Sequence, residues 1–301
     1  MERTQKLVSV IITTYKRPVD VLMRGVRSVL DQTYDNLELI IINDHPDEES
    51  SLEISSALSA LGDDRICYYV NESNSGACYS RNRGIRMSKG EYIALLDDDD
   101  SWEPDKLERH LPFFDDPQVA MVYGGMNYYS NNRVRRFYPY IKDDDIFPEI
   151  VGGNAIGGCS VPVIRRSILD EVGMFDEAFP SCQDLDLWIR ICKDHKVTSI
   201  NECLTNYYYS DEAITRSLKR QIDGFELIIN KYRDVFEQNP RLLVLRRKTE
   251  LALCIEKGSG SDIREYYSKY MADGGSVTAA VPVFAKAAFK RMLAKIGFWK
   301  L

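Results

Sequence analysis

Paired cysteines, clustered histidines and long apolar runs are all missing from this 301-residue chain. Its seven cysteines (Cys67, Cys78, Cys159, Cys182, Cys192, Cys203, Cys254) are scattered with no C-x-x-C pair, which fits buried thiols better than a zinc site or a disulfide framework. The three histidines, His45, His110 and His195, form no H-E-x-x-H or similar ligand spacing. Any chemistry here therefore rests on carboxylates. The first apolar run, Leu7 to Ile12, is too short for a signal segment and far too short to cross a bilayer, so the expectation is a cytoplasmic protein. Net positive charge is also lacking. The total is -7, and the five basic residues after Ser276 (Lys286, Lys290, Arg291, Lys295, Lys300), with no acids beside them, leave -12 on the remainder. That balance disfavours a general nucleic-acid binder.

What is present is a packed globular composition, 44% hydrophobic, and one conspicuous stretch from Gly90 to Leu107. Tyr92 to Leu96 has the length and composition of a buried strand, and it stops at four consecutive aspartates, Asp97 to Asp100. Trp102-Glu103-Pro104 then leads into Lys106-Leu107, which suits the first turn of a helix. Like charges about 4 Å apart repel by roughly 4 kcal/mol at an effective dielectric of about 20, so the cluster calls for positive charge. A hard divalent cation, Mg²⁺ or Mn²⁺, answers that need when one or two carboxylates share it with a substrate's phosphates. A solvated acidic loop is the plainer alternative, and the strand before and the Trp-x-Pro after weigh against it.

Strand and helix patterns alternate four times: strands at Val8–Ile12, Leu37–Ile42, Ile66–Val70 and Tyr92–Leu96, with helices after Pro18, at Ile54–Leu61 and at Ala77–Met87. The alternation predicts a parallel, right-handed, doubly wound α/β sheet. Thr13, Tyr15, Asp44, Asn71 to Asn74 and the aspartates then share the edge where strands end, which is where such sheets bind ligands. The Tyr15 ring suits stacking on a nucleobase, Asp44 accepts from a base or ribose, and Arg81 with the helix start at Gly76-Ala77 suits phosphate. Further on, a strand at Ala120–Tyr123 and a hairpin turning at Asn131-Asn132 are expected. The glycine-rich run from Gly152 to Ser160 either lets backbone pass close to a sugar or bends the chain. Asp184 falls in the first turn of a helix from about Ser181, where capping and a general-base role are both open. Two short strands, Val197–Ile200 and Tyr207–Tyr209, and a polar loop at Ser210–Arg216 precede an all-helical remainder, Ile222–Phe236, Leu242–Glu256 and Ile263–Met271. The last helix places Ala285, Phe289, Met292, Leu293, Ile296 and Trp299 on one face with basic residues around it. That pattern suits either an in-plane helix on anionic lipid through 279–301 or a terminal helix docked on its own protein.

With these residues assembled, the chain resembles the family 2 glycosyltransferases of the GT-A fold. The match lies in Val8-Ser9-Val10-Ile11-Ile12-Thr13-Thr14-Tyr15-Lys16-Arg17-Pro18, Asn74-Ser75-Gly76-Ala77, Arg81-Asn82-Arg83-Gly84-Ile85, Gly90 to Leu107 and Gln183-Asp184-Leu185-Asp186-Leu187-Trp188. It implies a GT-A type, Rossmann-like, mostly parallel sheet flanked by helices over residues 1–215, followed by a helical extension over 216–301. It also implies an inverting transferase moving a sugar from a nucleotide-sugar, most often UDP-linked, to a hydroxyl of a glycan or lipid-linked acceptor. By position, Thr13, Tyr15, Arg17, Asp44, Asn74, Arg81, Asp97 and Asp98 would bind the donor, Asp99 the metal, and Asp184 would be the base. The family often carries a pair of acids before Gly-Ser after the second strand; here Asn43-Asp44-His45-Pro46 keeps only Asp44. The rivals are an inactive nucleotide-sugar-binding scaffold and a sugar-1-phosphate nucleotidyltransferase, which would show a glycine-rich basic loop where Thr13-Thr14-Tyr15 stands.

Overall fold

The computed structural model describes residues 6–130, 133–139, 146–209 and 217–295, with side chains placed up to 292. The hairpin tip Asn131-Asn132, the loop Ser210–Arg216 and residues Ile296 and Trp299 of the terminal apolar face lie outside this range. The chain divides into two compact units: residues 1–146, 156–177 and 187–208 form the first, and 147–155, 178–186 and 209–301 the second.

The first unit is built on one nine-stranded sheet. Strands β1 (Val8–Thr14), β2 (Leu37–Asn43), β3 (Ile66–Val70) and β4 (Tyr92–Asp97) are parallel in the order β3-β2-β1-β4. Helices α1 (Val19–Leu30), α2 (Glu48–Ser59) and α3 (Ala77–Met87) are the crossovers. Because β1 is flanked by β2 and β4, the order reverses beside it, and a crevice opens there at the strand ends. β1 and β4 are buried on both faces, which is why they read as continuous apolar runs. α2 starts six residues earlier than the apolar spacing suggests, because the Asp47 carboxylate accepts from the Ser50 amide and caps it there. Gly84 of α3 leaves room for β1: a Cβ there would meet the Ile11 side chain at 2.5 Å.

Beyond β4 the sheet becomes mixed. The short β5 (Ser101–Trp102) and helix α4 (Lys106–His110) precede the long β6 (Val119–Ser130), which pairs with β7 (Arg133–Phe137) as the expected antiparallel hairpin. α5 (Phe147–Gly152) belongs to the second unit. β8 (Val163–Arg165) runs antiparallel between β4 and β6, and α6 (Arg166–Val172) follows it. α7 (Gln183–Asp194) leads into β9 (Lys196–Tyr208), one continuous strand where the sequence pattern suggests two. The reason is irregular register: bulges against β6 around Gly125 interrupt the period-2 pattern without ending the strand.

The second unit is helical: α8 (Leu218–Lys231), α9 (Arg233–Gln238), α10 (Pro240–Lys257), α11 (Gly260–Ala272) and α12 (Val277–Lys295). Leu251, Ile255, Tyr270, Ala280, Val283 and Ala287 make its main core. α12 therefore packs inward through Ala280, Val283 and Ala287, while Val277, Val281, Ala285, Phe289 and Met292 face outward. Arg291 donates to the Ile255 and Gly258 carbonyls and so ties the helix down. Arg247 joins Glu226, Glu250 and Asp273 in a knot of ion pairs at 2.7–2.9 Å.

Candidate active site

β1, β2, β3 and β4 end level with one another. Thr13 lies in register with Asp97 and Ile42, the Asp44 amide donates to Thr14, and the Asn71 amide donates to Asn43. The residues Thr13, Tyr15, Asp44, Asn71 and Asp97, far apart in sequence, thus meet at one sheet edge, as the alternating pattern predicts.

The four aspartates form a turn closed by the Asp100 amide donating to the Asp97 carbonyl at 3.0 Å. Three arginines hold it. Arg17 donates through Nε to Asp98 at 2.9 Å and through Nη2 to Asp99 at 3.1 Å. Arg81 donates to Asp97 at 2.8 Å. Arg24 of α1 donates to the Asp99 carbonyl, with its guanidinium 3.7 Å above the Tyr208 ring. The next residue, Gly25, admits this approach, since a Cβ there would stand 3.1 Å from the Asp100 carbonyl.

Asp100 points inward, where its Oδ2 accepts from the Ser160 hydroxyl at 2.6 Å and its Oδ1 is buried. Burial, with the Asp97 and Asp99 charges, pushes its carboxyl well above the usual range. Asp99 is likewise raised, to about 6, by burial and by Asp97 and Asp98, against the lowering effect of Arg17. Four carboxyl groups thus crowd one turn, and burial together with their mutual repulsion disfavours ionising Asp99 and Asp100. Such a cluster of hard oxygen donors fits a divalent cation. Among the described residues no three His, Cys, Asp or Glu side chains gather into a ready-made cage, so such an ion would take its remaining ligands from phosphate and water.

Around Asp44 the geometry is different. Its Oδ1 accepts from Asn71 Nδ2 (2.6 Å) and the Ser75 amide (2.9 Å), and its Oδ2 accepts from the Gly76 amide (2.8 Å). The amides at the start of α3 that face Asp44 are thus engaged by that carboxylate. Arg83 braces Asn71 from behind through the Val70 carbonyl and Asn71 Oδ1. A polar cleft of about 290 Å³ lined by Asn71, Glu72, Ser73, Ser75, Tyr79 and Arg83 opens beside this network. Asn74 is exposed at its rim, and the exposed Tyr15 ring meets His45 edge-on at 5.5 Å. The four residues of the Arg81-Asn82-Arg83-Gly84 motif each serve a different end. Arg81 holds Asp97, Asn82 ties to Phe175 and Glu177, Arg83 braces Asn71, and Gly84 makes room for β1.

Asp184 opens α7 in the second unit, half-buried, with its Oδ1 accepting from the Leu185 amide at 2.8 Å. Asp186, two residues on, is fully buried and bound by Lys231 and the Tyr232 hydroxyl, each at 2.8 Å. Among the described residues, the only non-glycine positions with positive φ are Lys16 (53°) and Cys182 (60°). They abut Tyr15 and precede Asp184, and backbone strain of this kind concentrates at functional sites.

Several supporting residues escape a reading of the sequence alone. Ser160 donates to Asp100 and accepts the Asp97 amide, and its carbonyl accepts from Trp102 Nε1 and the Thr205 hydroxyl. The glycine-rich run that ends at Ser160 is their only trace in the sequence. Lys106 is fully buried beneath this segment and donates to the Val161 carbonyl at 2.6 Å. Burial lowers its pKa from 10.5 to about 7. Between pH 10.5 and about 7 the unfolded chain therefore takes up a proton that the folded chain refuses, so stability falls as pH falls through that window. Lys106→Met should remove this dependence, which amounts to several kcal/mol, while losing about 1 kcal/mol of hydrogen bonding at pH 10. Urea unfolding of both proteins at pH 7 and pH 10 checks it; parallel pH slopes would contradict the burial of an uncharged lysine.

Residues 9–173 match the model of Glycosyl transferase family 2. An uncharacterized glycosyltransferase of Rickettsia felis is 27% identical over 92% of this chain, which spans about half (48%) of that relative's length. The Escherichia coli UDP-Glc:alpha-D-GlcNAc-diphosphoundecaprenol beta-1,3-glucosyltransferase WfgD is 29% identical over 72% of this chain and 84% of its own. Among solved structures, the mannosyltransferase PcManGT from Pyrobaculum calidifontis, in complex with GDP-Man and Mn²⁺, superposes with a TM-score of 0.58 at 15% identity, covering 96% of this chain and 87% of that one. The likeness shows a shared GT-A type α/β fold. With the strand-end aspartates and the matched sequence together, the chain belongs to glycosyl transferase family 2.

Proposed function

We propose that this protein is an inverting, metal-dependent hexosyl- or N-acetylhexosaminyltransferase. It takes a sugar from a nucleotide-sugar, UDP-linked, and places it on a hydroxyl of a lipid-linked glycan. The observation that carries the reading is the aspartate turn at the reversal point of the sheet, where four adjacent carboxyl groups are gathered and Asp99 is held up by burial and by its neighbours. WfgD, whose name specifies UDP-Glc and a diphosphoundecaprenol-linked acceptor, supports the choice of donor and acceptor.

In this reading Tyr15 and Asp44 hold the nucleoside, assisted by Thr13 and Asn74 at the same edge. Asp97 and Asp98 lie toward ribose and diphosphate, and Arg17 and Arg81 offer guanidinium groups to phosphate. Asp99 would hold Mg²⁺ or Mn²⁺, whose charge would favour departure of the diphosphate. Asp184 takes the proton from the acceptor hydroxyl, whose oxygen attacks the anomeric carbon opposite the leaving group, so configuration inverts without a covalent intermediate. Asp186 is the other acid of that motif, and its bonds to Lys231 and Tyr232 commit it to structure. Calorimetric titration with UDP, with and without Mn²⁺, followed by measurement of UDP released from a panel of donors, tests the reading. Manganese-independent or absent UDP binding would refute it.

A lipid-linked acceptor places the work at a membrane surface, and no helix of the described residues is long and apolar enough to cross one. We assign the attachment to the outward stripe of α12, where Val277, Val281, Phe289 and Met292 are 58%, 60%, 56% and 50% exposed and Lys286 lies beside them. The stripe matches an in-plane helix on anionic lipid at the inner face of a cytoplasmic membrane, with each basic residue adding about 1 kcal/mol. The protein should co-sediment with vesicles containing phosphatidylglycerol but not with pure phosphatidylcholine. Phe289→Ser with Met292→Ser should abolish that binding without loss of fold; retained binding would remove α12 from the assignment.

A further inference from the structure

The hairpin of β6 and β7 carries aromatic residues that none of the roles above uses. In an antiparallel or parallel ladder, residues in register share a face. Tyr128 is in register with Tyr207 on one side and Arg135 on the other, and Ser130 with Arg133. Tyr128 and Tyr207 stack at 5.2 Å and 15°, and Phe137 meets Tyr128 edge-on at 6.0 Å. The opposite face carries a second stack, Tyr129 on Tyr208 at 4.8 Å, where Tyr208 underlies Arg24 and its hydroxyl bonds Ser101.

The first stack shares its face of β9 with Thr205, which connects it to the aspartate turn. Thr205, two residues before Tyr207 and so on the same face, donates to the carbonyl of Ser160, whose hydroxyl holds Asp100. The Tyr207 phenol is held above its ordinary value by burial and by the charges of Asp100, Asp99 and Asp97. From Tyr207 the face runs across β6 to Arg135, two strand spacings or roughly 10 Å away. Arg133 and Arg135 are exposed.

We propose that this face is the acceptor subsite: Tyr128 and Tyr207, edged by Phe137, pack against the pyranose ring that is to be extended, and Arg135 and Arg133 meet the diphosphate attached to that ring. The chemistry matches in order. Aromatic surface near the acids suits the C–H-rich face of a sugar, and guanidinium groups farther out suit a phosphate diester bidentately. The inference rests on the transferase reading above, since it names the acceptor of that same site.

The probes are N-acetylglucosamine linked through an α-diphosphate to a short alkyl chain, and the uncharged alkyl glycoside of the same sugar. Both are titrated by saturation-transfer NMR against the UDP-loaded protein. Tyr128→Ala and Tyr207→Ala should each weaken both probes roughly tenfold, while Tyr128→Phe keeps affinity within about twofold of the parent. Arg135→Gln should weaken only the charged probe and flatten its salt dependence. UDP affinity should be unchanged throughout, which also reports that each variant is folded. If the parent binds UDP but neither probe, or if Tyr128→Ala and Arg135→Gln leave both probes unaffected, the subsite is overturned. Failure of the parent to bind UDP would instead strike the transferase reading itself.

Discussion

Asp184→Asn is expected to lower sugar transfer roughly 10²- to 10⁴-fold while UDP affinity stays near that of the parent protein. The amide has the volume of the carboxylate and keeps an oxygen to accept from the Leu185 amide, so the start of α7 is preserved. What it loses is the capacity to take a proton from the acceptor hydroxyl. A loss of this size corresponds to about 3–5 kcal/mol of transition-state stabilisation. It should fall on kcat rather than on the donor KM, because the missing interaction exists only once the proton begins to move. Single-turnover transfer with saturating donor measures it directly. Undiminished turnover in the purified variant would remove Asp184 from the chemistry and leave it as a residue of the helix start. Asp186→Asn makes an informative companion. That carboxylate is fully buried against Lys231 and Tyr232, so its loss should lower stability rather than the chemical step alone.

Asp99→Asn should separate stability from function. The Asp99 carboxyl is held up at about 6 by burial and by the neighbouring Asp97 and Asp98 charges, so without metal it is a strained member of the turn. Replacing it relieves that repulsion, and in EDTA the variant should melt a few degrees higher than the parent. With Mn²⁺ the order reverses. The parent should gain UDP affinity on adding the ion, and the variant should lose that gain by at least about 10- to 100-fold, the range typical of weakening a metal site's outer partners. Arg17, which bridges Asp98 and Asp99, would remain to hold the turn in the variant. A thermal melt in EDTA and paired titrations with and without Mn²⁺ cover both arms. Equal manganese dependence in the two proteins would dismiss Asp99 as a ligand.

The first four strands and their crossovers were legible because local periodicity and tertiary burial agree there. Ile66–Val70 and Ala77–Met87 coincide with the observed β3 and α3, and β1 and β4 are apolar on both faces because the sheet buries both. The aspartate turn was legible for the same reason, since an apolar run that ends in charge marks a strand reaching the surface. Agreement failed where a long-range partner sets the outcome. β9 reads as two strands because its bulges break the alternation, yet pairing with β6 carries it through. The terminal helix has apolar residues enough for two faces, and only packing against α10 and α11 decided that Ala280, Val283 and Ala287 turn inward while Phe289 and Met292 stay out.

By itself, the order of residues determined the strand-helix alternation, the edge where Thr13, Asp44 and Asp97 meet, and the family, because each follows from short-range pattern and β-sheet handedness. Tertiary structure alone decided the company those residues keep: Arg17 and Arg81 on the aspartates, Asp44 engaged by the start of α3, Ser160 beneath Asp100, and Tyr128 stacked on Tyr207. Each of these is a side-chain contact with a group brought near by the folded sheet. Their pairing is a matter of distance in space, which no spacing along the chain encodes.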